Sequence, residues 1–197
     1  SRVHLAGWSM GAGLAYDVAC THSDQIASFA AVSSQMFNGQ IQVCSPDRAM
    51  SLLQIHGTAD PANAFGGRSP WSGPAPETAA FWASLNNCSP DPTSVEIEDK
   101  VPEDDSTVTL FEYMGCDSGS EILFYQVNDG GHGWPGDGVF DSAFDLGNWN
   151  KDLNASLEIL SFFGRNPLPQ SGTAAETAVE TSTWGAVKTD FQSSSND

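Results

Sequence analysis

The sequence is short of cations: 7 Lys and Arg stand against 25 Asp and Glu in 197 residues, for a formal net charge of −18. A field of that sign repels phosphate backbones and anionic lipid surfaces, so no nucleic-acid partner and no membrane-surface role is expected. Acidity is also a common solubility device, and alone it names no partner. Long apolar runs are missing as well. None approaches the ~20 residues that span a bilayer, and no basic stretch followed by an apolar one opens the chain. There is no internal repeat. What is present, 40% hydrophobic and 10% aromatic residues, is enough for one packed core and excludes both wholesale disorder and a collagen-like fibre.

Residues 2–6 read as a short β-strand that starts with no lead-in, which reads as the cut edge of a larger protein. After Gly7-Trp8-Ser9-Met10-Gly11, the apolar spacing predicts a helix over 12–20. Short apolar runs at 26–32 and 50–55 read as buried strands of a parallel sheet. Residues 61–76 hold three Gly and four Pro, an irregular surface excursion, and a helix is expected over 77–87. Two further strands are expected at 107–113 and 121–127. Beyond Gly130-Gly131-His132-Gly133 a polar loop runs to 148, and Leu153, Leu157, Leu160 and Phe163 then fall on one helical face. The pattern predicts an α/β domain over 1–165 with a mostly parallel sheet flanked by helices. From 166 to 197 the composition is too poor in apolar residues for a core and reads as a low-complexity tail or linker. Trp184, Val187 and Phe191 interrupt it at helical spacing; a fortuitous pattern is favoured over a docking segment, and no tail partner is named.

Gly7-x-Ser9-x-Gly11 between a strand and a helix is the pattern of a nucleophile elbow, in which small neighbours let the chain turn tightly enough to present a serine above the sheet. The Met10 N–H, at the positive end of the following helix, is then placed to meet a developing oxyanion. A serine hydroxyl needs a base to take its proton and an acid to orient that base. Asp60, after the strand at 50–55, and His132, after the strand at 121–127, follow Ser9 in the order such sites use. Asp129, Asp137 and Asp141 rival Asp60 but read as solvated loop carboxylates. His4, inside the first strand, His22, at a helix end, and His56, where a strand runs out, read as packing residues, whereas His132 stands in a Gly-flanked loop able to present its ring. Four cysteines, Cys20, Cys44, Cys88 and Cys116, allow three disulfide connectivities. Trp82 reads as core; Trp8 and Trp134 are candidate pocket walls, with structural bracing an equal reading for Trp134.

The runs at 6–11, 56–61 and above all Gly130-Gly131-His132-Gly133-Trp134-Pro135-Gly136 resemble secreted esterases of the polyhydroxybutyrate depolymerase and feruloyl esterase family. The resemblance covers roughly residues 2–163, including Pro76-Glu77-Thr78, Phe81-Trp82, Asn87-Cys88 and Tyr113-x-x-Cys116. It implies an α/β-hydrolase fold, with Ser9 as nucleophile, Asp60 as orienting acid, His132 as general base and Met10 N–H as an oxyanion donor. It implies Cys88 paired with Cys116, which leaves Cys20 with Cys44. It also implies that the family's N-terminal strands and a second oxyanion donor precede this sequence, so that the chain alone would have little activity. The acidic loop between Pro135 and Asn148 departs from the family. The expected function is an extracellular serine carboxylic ester hydrolase acting on polyester or on feruloyl or acetyl esters of polysaccharide, with neither metal nor organic cofactor. The alternatives are a serine peptidase of related fold and a noncatalytic module presenting Trp71, Trp134 and Trp149 to polysaccharide.

Overall fold

In a computed structural model the described residues are 3–136 and 145–168. Asp137, Asp141, Trp184, Val187, Phe191 and nearly all of the expected tail lie outside them. The described residues form six strands and four α-helices, alternating up to β4: β1 (Leu5–Trp8), α1 (Met10–Thr21), β2 (Ser28–Val32), α2 (Asn38–Val43), β3 (Ser51–Gly57), α3 (Ala75–Leu85), β4 (Thr93–Glu96), β5 (Thr107–Tyr113), β6 (Ile122–Asn128) and α4 (Ala155–Arg165). They form one mixed sheet in the order β1-β2-β3-β6-β5-β4. The first four strands of that order run parallel, β5 pairs antiparallel with β6, and β4 pairs antiparallel with β5.

Alternation along the central strands explains the layers. Side chains two apart leave the same face of a strand. Phe29, Ala31, Leu52, Ile122 and Phe124 pack with Ala15, Tyr16, Ala19 and Trp82 of α1 and α3. Their neighbours Ala30, Val32, Leu53, Ile55, Leu123, Tyr125 and Val127 pack with Ala155, Ile159 and Phe162 of α4. Both faces of β2 and β3 are covered, which is why these strands read as continuous apolar runs.

Several expectations shift. β1 begins later than expected, so His4 precedes it; the ring stacks on Phe163 with centroids 4.6 Å apart. β3 runs on through His56, so that residue is inside the strand and fully buried. α3 starts two residues early because its Pro76 sits in the first turn, where a missing N–H costs no helical bond. α2 and β4 were not expected: α2 buries none of its residues and β4 leaves all four exposed, so neither carries an apolar period. The stripe foreseen on α4 holds only in part, with Leu153 and Phe163 packed against the core. Leu157 and Leu160 are 64% and 65% exposed, Leu153 is buried ahead of the helix, and the core face is Ala155, Ile159 and Phe162. The helix starts after Asn154, whose Oδ1 accepts the Leu157 N–H at 3.1 Å.

Two disulfides pin the helical layer: Cys20–Cys44 joins the end of α1 to the end of α2, and Cys88–Cys116 joins the segment after α3 to the β5–β6 connection. No helix among the described residues is long and apolar enough to cross a membrane.

Candidate active site

Because β1, β2, β3 and β6 are parallel, their carboxyl ends share one edge of the sheet, the usual place for ligands in such architectures. Ser9 follows β1 there, Ser33 follows β2, Asp60 follows β3 by three residues, and His132 follows β6 by four.

Ser9 turns between β1 and α1 with φ 56° and ψ −121°, a conformation that non-glycine residues rarely hold. It is fixed from both sides: its N–H donates to Val32 O at 2.9 Å and its carbonyl accepts from Ala12 and Gly13. The two glycines around it are not equivalent. A Cβ at Gly7 would lie 2.1 Å from Gly11 O, so the close crossing of strand and helix needs glycine. A Cβ at Gly11 meets nothing within 4 Å, so the steric reason expected for that residue does not hold. The N–H of Met10 opens α1, and no acceptor is bonded to it among the described residues.

His132 Nδ1–H donates to Asp60 Oδ2 at 2.8 Å, and its Nε2 accepts from Ser9 Oγ–H at 2.9 Å. The carboxylate can only accept, and that fixes the tautomer. Asp60 and His132 are 6% and 4% exposed, so the pair is shielded from water while the serine remains partly open. The second carboxylate oxygen accepts from the Ala62 and Asn63 N–H groups at 2.8 and 2.7 Å. Asp129, by contrast, is exposed and donates its backbone N–H to Thr58.

The loop bearing His132 is packed rather than free, which corrects the reading of its glycines. A Cβ at Gly131 would lie 2.0 Å from Leu146 O, and one at Gly57 would lie 2.3 and 2.4 Å from the carbonyls of Gly130 and Gly131. The glycines let the loops after β3 and β6 press together, and Ala59 N–H donates to Gly130 O at 2.9 Å across the contact. His132 N–H donates to Leu146 O at 2.7 Å.

Residues that sequence reading did not single out hold this arrangement. Ser33, itself at φ 54°, donates its hydroxyl to Gly133 O at 2.7 Å, and Asn63 Nδ2 donates to Ser33 O at 2.7 Å. His56 Nε2–H donates to Gln35 Oε1 at 2.9 Å, and Gln35 Nε2 in turn donates to Ala64 O at 3.0 Å. This ties the far end of the Asp60 loop to the sheet. Burial pushes the His56 imidazole below its ordinary range, opposed by the Gly57 carbonyl and the Asp60 charge. None of these contacts has a local sequence signal, because each joins residues about 20 or more apart.

Of the two tryptophans expected at the pocket, Trp8 lies against the His132 ring with centroids 5.1 Å apart. Trp134 donates its indole N–H to Ser156 Oγ at 3.0 Å and packs against the core on the α4 side, which braces its loop against that helix. Trp82 is fully buried, and Trp71 is 66% exposed. Among the described residues no group of three or more His, Cys, Asp or Glu is arranged to hold a metal ion.

Serine, imidazole and carboxylate in this order can pass a proton away from the hydroxyl as it attacks an electrophile, with the N-terminus of α1 facing the charge that develops. In comparisons with known proteins, no protein family matches this chain and no curated protein does.

Proposed function

We propose that this chain carries the catalytic residues of a serine carboxylic ester hydrolase of the α/β-hydrolase class, related to the polyhydroxybutyrate depolymerase and feruloyl esterase family. The reading rests on one observation above all: a strained serine between strand and helix, hydrogen-bonded to a buried histidine that is itself hydrogen-bonded to a buried aspartate. Ser9 Oγ attacks the ester carbonyl while its proton moves to His132 Nε2, and the tetrahedral oxyanion is met by the Met10 N–H. The imidazolium then gives that proton to the departing alkoxide as the C–O bond breaks, leaving an acyl-Ser9 ester. Water repeats the sequence, losing a proton to His132 and releasing the acid. Asp60 holds the tautomer and offsets the imidazolium charge without taking the proton. The two disulfides support an extracellular setting, where such bonds persist.

A fluorophosphonate probe tests this directly. Mass spectrometry of the intact protein that carries this sequence is expected to find the adduct on Ser9, with hydrolysis measured on hydroxybutyrate oligomers, methyl ferulate, acetylated xylan and a short p-nitrophenyl ester. Absence of an adduct on Ser9 together with absence of hydrolysis overturns the proposal and leaves the noncatalytic module as the reading.

A further inference from the structure

Beside the triad lies an open cleft of about 260 Å³ whose walls include Phe37, Asn63, Arg68, Trp71 and Ser72. It shares structure with the reaction centre. Asn63 bonds both the Asp60 carboxylate and Ser33, which holds Gly133, and the Phe37 ring faces Gly13, whose N–H bonds the Ser9 carbonyl. Among the described residues no Asp or Glu lines this cleft, and the one charged side chain in its walls is Arg68. Arg48 uses its guanidinium on the backbone carbonyls of Ser23, Ile26, Ala27 and Ala49, and Arg165 pairs with Glu121 at 2.8 Å. The guanidinium of Arg68 makes neither kind of bond among the described residues.

The segment carrying Arg68 and Trp71 is exposed yet firmly held. Arg68 and Ser72 bridge across the turn, with N–H to O bonds of 3.0 and 3.1 Å. Gln35 Nε2 donates to Ser72 Oγ, Asn38 N–H donates to Trp71 O, and Asn38 Nδ2 donates to Pro70 O. Gly67, at φ +79°, admits the crossing because a Cβ there would lie 2.4 Å from the Gly73 carbonyl carbon. So many anchors on a loop that buries neither of its two large side chains indicate that it is built to display them.

We propose that this cleft is the substrate subsite of the esterase site and takes a ring that bears a carboxylate, the ring against Trp71 and the carboxylate on Arg68. The proposal rests on the hydrolase reading above. A planar guanidinium takes a carboxylate through two parallel bonds, and an indole face accepts an aromatic or sugar ring. The volume lies below the ~300–1,000 Å³ typical of sites for whole drug-sized ligands, which matches a single moiety. Screening over about 8 Å at physiological salt confines the repulsion from the rest of the chain, so the unpaired guanidinium decides the local sign.

Benzoate and D-glucuronate, against benzyl alcohol and D-glucose as neutral counterparts, are the probes, with binding read by saturation-transfer NMR on the intact protein. At least one acid is expected to bind about 10-fold or more tightly than its neutral counterpart. Arg68→Gln removes that preference, Trp71→Ala weakens acid and neutral forms alike, and Lys151→Gln, an exposed cation outside the cleft lining, changes nothing. Benzoate alone indicates an aromatic ring that carries a free carboxylate apart from the scissile ester, glucuronate alone an acidic sugar, and either supports the proposal. The preferred acid should also slow fluorophosphonate labelling of Ser9. Acids binding no better than neutrals, a preference that survives Arg68→Gln, or binding without protection of Ser9 each overturns it. An unlabelled Ser9 with Arg68-dependent binding intact counts instead against the hydrolase reading.

Discussion

At the scale of single residues, the triad divides its labour in a way that substitutions can separate. On the proposed reading Ser9→Ala removes the nucleophile and His132→Ala the base, and each is expected to lower kcat by about 10⁴–10⁶, with Tm unchanged for Ser9→Ala and lowered for His132→Ala, which leaves the buried Asp60 carboxylate without its imidazole partner. Asp60→Asn keeps a group that can still accept at Oδ1 from the Asp60 loop but offers an amide where the imidazole needs a carboxylate. The expected loss in kcat is smaller than for the other two, and equal losses would contradict this division. His56 yields a prediction about stability. Burial holds its imidazole below the ordinary 6.5. Below that pH the unfolded chain takes up a proton that the native chain refuses, so native stability falls as pH drops from about 6.5 toward the native value and is unaffected above it. Thermal melts between pH 8 and 5 should show this slope, and His56→Gln should flatten it; an unchanged slope would refute the assignment.

At the scale of elements, the elbow shows why the pattern in the sequence was only half informative. Gly-x-Ser-x-Gly located the turn, the strand before it and the helix after it, but could not say which glycine the crossing requires. Gly7→Ala should lower Tm sharply or abolish folding, because a methyl would sit 2.1 Å from a backbone oxygen. Gly11→Ala meets open space within a helix and should be neutral or stabilising by up to about 1 kcal/mol. Calorimetry of the two variants decides it, and equal destabilisation would be the contrary result. β5 and β6 were legible because their apolar content is dense, and β2 and β3 because both faces are buried. β4 was hidden by its exposure, and the α4 stripe was misread because Leu157 and Leu160 carry helical spacing but fall on the solvent face of α4, while Ala155, Ile159 and Phe162 face the core. Order along the chain was enough to nominate Ser9, Asp60 and His132. The supports at Ser33, Gln35 and Asn63 stayed invisible because polar side chains declare partners only once the strands are placed.

For the whole molecule, charge is the dominant feature. A net −18 is accompanied by one pair of oppositely charged side chains among the described residues, Glu121–Arg165, so added salt screens far more repulsion than attraction. Tm should therefore rise between 10 mM and 300 mM sodium chloride, and a fall over that range would indicate that paired charges outweigh the net field.

The carbonyls of Gly130 and Gly131 occupy the side-chain space of Gly57, and the segments they join carry an acid and a base 72 residues apart in sequence. In the language of recombination, those two stretches are one heritable unit. A chimera that takes the segment around residue 57 from one parent and the segment around residue 131 from another inherits two surfaces never fitted to each other, whereas a crossover between residues 9 and 50 leaves the unit whole. In a shuffled library, surviving sequences should draw both loops from the same parent, while the strand and helix bearing Ser9 come from either.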